Sequence, residues 1–255
     1  MRTLAFIAAV FLCCIAQPMH AQGTAGENAT SEPRFIVDMP TAGVLSRLHH
    51  SVGVYAFPEG GVMLEWSIAP FNEFNVGISY GGSGVIGAGI PDWQPWPGLH
   101  AKYRIIAETL NFPAITVGFS SQGRGAYLDG LDKFVTQSPG LYAVASKSFV
   151  FLGRLDLHGG VNYAFEGAAD DRSPNIYVGL EKSVGNIFSA AIEYNATFME
   201  NLGETMRHRG LLNASIRCSI GKGFTLEFQA RDLLTNFRNA DHISRSLALE
   251  YIEAL

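Results

Sequence analysis

From about position 41 to 252 the chain alternates apolar and polar residues with a period of two, in repeated stretches separated by turns rich in Gly, Pro, Asn and Asp. The clearest case is 209–232. Leu212, Ala214, Ile216, Cys218 and Ile220 share one face, and Asn213, Ser215, Arg217 and Ser219 share the other. Beyond Gly221-Lys222-Gly223, Phe224, Leu226, Phe228 and Ala230 oppose Thr225, Glu227, Gln229 and Arg231. This pattern predicts a β-hairpin whose reversal uses the freedom of glycine at positive φ. The same periodicity predicts strands around 44–57, 62–69, 74–80, 99–108, 113–122, 141–149, 155–166, 176–182, 188–196 and 243–252. The 141–149 stretch is the least regular, with Tyr142 and Val144 opposing Ala143, Ala145 and Lys147.

A sheet with one apolar and one charged face has either a soluble core inside and charge outside, or lipid outside and a polar lumen. Strand number and loop length separate these. The predicted strands come to about twelve, an even number, and most approach the length that crosses a bilayer at a tilt. From the third strand onward the connections alternate: long at 81–97, 123–139, 167–174, 197–208 and 233–242, short in between. Such parity belongs to a barrel with a short-turn end and a long-loop end. A secreted β-sandwich, the alternative, has no reason to segregate its loops in this way. The expectation is therefore an all-β, antiparallel transmembrane barrel over 41–255, preceded by a small polar leader or linker at 22–40.

The first residues change the picture by giving an address. Arg2 is followed by an apolar run from Leu4 to Ala16 and by small Ala21 before Gln22. The run is too short to span a membrane and reads as a signal peptide over 1–21, which places the barrel in the outer membrane of a Gram-negative envelope. Removing it takes Cys13 and Cys14 and leaves Cys218 alone, which excludes an internal disulfide and a cysteine-based zinc site. Acidic residues outnumber basic ones, 23 against 18, and no basic run occurs, which argues against nucleic acid.

Parity assigns the charged side chains to the lumen: Glu65, then His100, Lys102, Arg104 and Glu108, then Lys147, then Asp156, His158 and Glu166, then Glu181 and Glu193, then Arg217, Glu227 and Arg231. Such residues either cross-link a filled lumen or line a wet conduit whose charges and amides bond sugar hydroxyls. An enzyme would draw its base from His100 or His158, its nucleophile from Ser120, Ser146 or Ser189, and its orienting group from Asp156 or Glu193; no spacing singles out a set. No catalytic residue, cofactor or metal is expected. Asp170 and Asp171 are ordinary turn formers, with too few ligands for calcium. Trp93 and Trp96, in a Pro-rich loop, are candidates for stacking on sugar rings or for the membrane interface.

Several stretches also resemble a known family. They are Met39-Pro40-Thr41-Ala42-Gly43, Gly60-Gly61-Val62, Lys102-Tyr103-Arg104 with Glu108, Pro113-Ala114-Ile115 with Val117-Gly118-Phe119, 141–147 and 158–163. These are similar to YjbH-like outer-membrane proteins, associated with exopolysaccharide production, and the resemblance spans most of 39–252. It implies an outer-membrane barrel acting in polysaccharide production, export or surface anchoring, with outer-membrane lipid, polysaccharide and other envelope proteins of that pathway as partners. Its motifs are strand and turn patterns and carry no reaction. The expected function is accordingly non-enzymatic. The alternatives are a lipid- or glycan-modifying barrel enzyme, a general porin-like channel and a secreted glycan-binding sandwich.

Overall fold

The computed structural model describes residues 23–167, 172–198, 200, 206–238 and 243–255. The expected signal peptide, like Asp170 and Asp171, lies outside these residues. Along the chain the strands are β1 (His49–Phe57), β2 (Gly61–Phe71), β3 (Phe74–Ser83), the two-residue β4 (Asp92–Trp93), β5 (Gly98–Ile106), β6 (Ala114–Ser120), β7 (Arg124–Leu128) and β8 (Lys133–Thr136). They continue with β9 (Gly140–Val150), β10 (Arg154–Tyr163), β11 (Asn175–Val184), β12 (Phe188–Asn195), β13 (Leu211–Gly221), β14 (Phe224–Arg231) and β15 (Ser244–Ala254).

Each long strand pairs antiparallel with its neighbours, and β15 pairs with β1 in a register that sets Tyr251 opposite Val52. The sheet therefore closes into a 12-strand barrel that leaves no edge among its main strands. The short β4 is added to β3, and β7 and β8 form a separate hairpin in the long connection between β6 and β9. The alternation of loop lengths read from the sequence holds, so the barrel has a short-turn end and a long-loop end.

The β13–β14 reversal shows how local chemistry sets the register. Gly221 pairs with Phe224, leaving Lys222 and Gly223 as the turn, both at positive φ (53° and 81°). This is the backbone twist that suits a two-residue hairpin. At Gly223 a Cβ would lie 2.1 Å from the Ile252 carbonyl oxygen, so the neighbouring strand end excludes any larger residue without a shift.

The faces are inverted relative to a soluble protein. On β13 the polar residues are hidden, Asn213 at 1% and Ser219 at 0% exposure, while Ile216 is 55% exposed. Leu64, Trp66, Leu99, Tyr103, Val178 and Phe228 likewise face outward. A contiguous apolar outer surface of this size is one that lipid wets and water does not.

The described part of the stretch expected as a leader or linker at 22–40 lies within the barrel and continues to residue 47. It runs into the barrel from the short-turn end, turns at 36–39, where the Ile36 N–H donates to the Met39 carbonyl at 2.8 Å, and returns to enter β1. Ile36, Val37, Asp38, Met39, Thr41, Ala42 and Leu45 are all buried. The composition that reads as a solvated leader is here matched to a polar lumen, which supplies its backbone with partners as water would.

Candidate functional site: the closed lumen

The site is the interior, and the wall meets the re-entrant segment through opposite charges on opposing strands. On β12, one Glu193 carboxylate oxygen accepts the consecutive N–H groups of Val37, Asp38 and Met39 at 3.0, 2.9 and 2.8 Å. Successive backbone N–H groups make a concavity suited to an anion, and the wall provides the anion. On β5, the Lys102 ammonium donates to the carbonyls of Arg34, Thr41 and Gly43 at 3.0, 3.1 and 3.1 Å. A buried charge is tolerated only when paired or fully hydrogen-bonded, and the segment's backbone dipoles do this for both.

Side chains of the segment complete the contacts. Asp38 accepts from Arg231 Nε at 2.7 Å and from Asn213 Nδ2 at 3.2 Å; Arg34 pairs with Glu250, and Glu32 with Arg104. Arg104 also reaches Glu73 at 3.0 Å. Thr116 donates to the Ala42 carbonyl at 2.9 Å, and Tyr177 to that of Pro40 at 3.0 Å. An apolar seat lies on the wall between β6 and β12, where Ile36, Met39 and Ala42 pack with Ala114, Tyr142, Val144, Tyr177 and Ala191. At Gly179 a Cβ would meet Ile36 at 2.8 Å, so glycine makes room for the segment there.

Elsewhere the wall cross-links itself. Arg217 pairs with Glu181 and lies 3.1 Å from Glu227, and its guanidinium also donates to the carbonyls of Phe35 and Ile36. Asp156 pairs with Arg154 at 2.8 Å. Two voids beside Arg124 measure about 20 and 30 Å³, room for a water or so each. The re-entrant segment thus occupies the interior against β5, β6, β12, β13 and β14.

Several expectations need correction. Lys147 faces outward and Glu108 lies in the exposed turn after β5; they pair with each other at 3.1 Å at the short-turn end. The parity of β9 misleads because Tyr142 and Val144 point inward to seat the segment, against the rule that apolar residues face lipid. Glu166 lies beyond the end of β10, in the long-loop mouth. There it accepts the N–H groups of Phe134, at 3.0 Å, and Ser138, which holds the β7–β8 hairpin down. Burial pushes its carboxyl up to about 7, against the lowering effect of the Ser138 and Phe134 N–H groups. Trp93 stacks on the outward-facing Tyr80 with centroids 5.8 Å apart and planes 10° from parallel, which makes it part of the outer aromatic surface; Trp96 is exposed.

Glu65, His100, Lys102, Arg104, Asp156, His158, Glu181, Glu193, Arg217, Glu227 and Arg231 do line the interior. Of the residues named for catalysis, Ser146 and His158 meet, and the others bond elsewhere. Ser146 shares a 2.7 Å hydrogen bond with His158 but also accepts the Ala42 N–H at 2.9 Å, and Ser67, which the sequence did not single out, bonds His100 at 2.8 Å. Ser189 bonds Glu181 at 2.7 Å, and Glu193 holds the segment's turn.

Sequence reasoning missed the segment itself, with Glu32, Arg34 and Asp38, and also Arg124 in a long loop and Glu250 on the last strand. A signal existed in Phe35-Ile36-Val37, an apolar run inside an otherwise polar leader. Glu250 could have been found by carrying the alternation through β15, where it points inward with Ala248 and Ile252.

No family model matches this chain, and no curated protein matches it either. Among solved structures it is similar to one described as a KdgM porin, at a TM-score of 0.50 and 10% identity, over 80% of this chain and 98% of that one. At that identity the likeness is one of fold, the antiparallel barrel.

Proposed function

We propose that this protein is a porin-like barrel of the outer membrane, without enzymatic activity, whose conduit is closed by its own re-entrant segment in the state described. The carrying observation is that the segment is held by wall side chains that remain polar and hydratable without it. Glu193, Lys102, Arg231, Asn213 and Thr116 bond its backbone or its carboxylate and would line a wet passage once it withdrew. Water can replace each of these hydrogen bonds when the segment withdraws, which keeps the net cost of losing them modest. Polar groups at these positions, of both signs, suit hydrophilic solutes of low net charge. The surface-polysaccharide role implied by the YjbH-like sequence patterns has no further support in the fold, and the channel reading takes its place.

Planar-bilayer conductance tests the proposal. The native protein is expected to show small or rare openings, and a Glu193→Gln, Lys102→Met variant larger or more frequent ones, because both charged attachments of the segment are then lost. If the variant runs as a heat-modifiable barrel on gels yet closes the bilayer as well as the native protein, the channel reading fails.

A further inference from the structure

The β7–β8 hairpin lies in the long-loop mouth and is tied to the residues around it. Glu166 holds its Phe134 and Ser138 N–H groups, Lys133 pairs with Glu200 at 2.6 Å, the Gly167 N–H donates to the Asp132 carbonyl at 2.9 Å, and Asn162 Nδ2 donates to the Pro139 carbonyl at 3.0 Å. Phe134 and Thr136 are buried, so the hairpin sits within the mouth.

At its base, Arg124 reaches the re-entrant segment. Its guanidinium carbon lies 4.9 Å from the centroid of the Phe35 ring and 4.8 Å from that of Tyr55, one ring on the re-entrant segment and the other on the β1 wall. Its Nε is 3.9 Å from the Asp38 carboxylate, which Arg231 also holds. Arg124 is 92% hidden and its Nη1 has no hydrogen-bond partner, so the guanidinium is met here by ring faces and charge. Two water-sized voids adjoin it. A flat cation between two rings, one of them carried by the segment, links the position of the hairpin base to that of the segment.

We propose that the outer hairpin and the re-entrant segment form one coupled gate joined through Arg124, so that undocking either one promotes undocking of the other. Its physiological meaning rests on the channel reading, whereas the coupling concerns only the two segments. Arg124 acts here as a positioning residue. Coupling between two sites is reciprocal by thermodynamic necessity, and this supplies a test that a merely structural role does not satisfy.

The full chain in a Cys218→Ser background is reconstituted with one reporter cysteine at a time, Val37→Cys at the segment's turn or Ala126→Cys on the hairpin. Modification by a hydrophilic thiol reagent is then timed. Arg124→Ala is expected to accelerate labelling at position 37 on the order of tenfold, and Phe35→Ala to accelerate labelling at position 126 by a similar factor. Arg124→Lys, which keeps the charge without the flat face, falls between. The double variant Arg124→Ala, Phe35→Ala labels no faster than the faster single variant, since both remove one shared link. Labelling at 126 that ignores Phe35→Ala, or single effects that simply add, overturns the coupling. Reciprocal labelling effects in a protein that never conducts keep the coupling and sink the channel; conduction in the Glu193 and Lys102 variant with independent labelling does the opposite.

Discussion

Ile216 and Arg217 are adjacent on β13, yet they meet different solvents. Ile216 projects from the outer surface with 55% of its area uncovered, whereas Arg217 is buried against Glu181, Glu227 and the carbonyls of Phe35 and Ile36. The outer face is held by no specific partner: any apolar side chain of similar bulk serves lipid equally well. Inside, each charge is matched to particular atoms, several of them on a segment that belongs to no strand. Substitution outside is therefore governed by polarity, and inside by identity.

The largest expected effect comes from breaking an inner match. Arg217→Ala leaves Glu181 and Glu227 facing each other without their cation, a change that costs about 3–5 kcal/mol when a buried pair loses one member. Unfolding of the reconstituted barrel in urea, followed by loss of the unboiled gel band, measures it; a shift near zero would mean that water already screens the triad. Next in size is the outer counterpart, Ile216→Arg at the middle of β13. It is expected to cost about 2–4 kcal/mol in lipid vesicles at the bilayer midplane, while Ile216→Leu changes little. Equal tolerance of both would remove the lipid-facing assignment.

The smallest effect concerns the mouth. Because burial raises the Glu166 carboxyl, the docked hairpin holds that proton more tightly than the undocked one does. Docking is thus fully supported below the ordinary carboxylate range and weakens as pH rises through about 7. A spin label at Ala126→Cys, again with Cys218→Ser, is expected to grow more mobile between about pH 5 and 8, and Glu166→Gln to flatten the profile. An unchanged pH profile in Glu166→Gln would assign the titration to another group.

Alternation alone determined the barrel strands, their even number, the end at which the long loops gather and the inward direction of residues such as Glu193 and Arg231. A pleated strand sends successive side chains to opposite sides, so local order decides which face each residue joins. What local order cannot carry is the identity of the partner across the interior. The polar stretch 23–47 has no periodicity of its own, and the groups that hold it come from β5, β6, β11, β12, β13 and β14, brought within reach only when β15 closes on β1. For the same reason Tyr142 and Val144 read as lipid-facing, and Lys147 as inward, until the segment's Ile36 and Met39 supply an apolar neighbour inside. The wall could be read from the sequence because it is built from near neighbours in the chain; the plug could not, because its burial depends on a closed ring, which is a property of the tertiary structure alone.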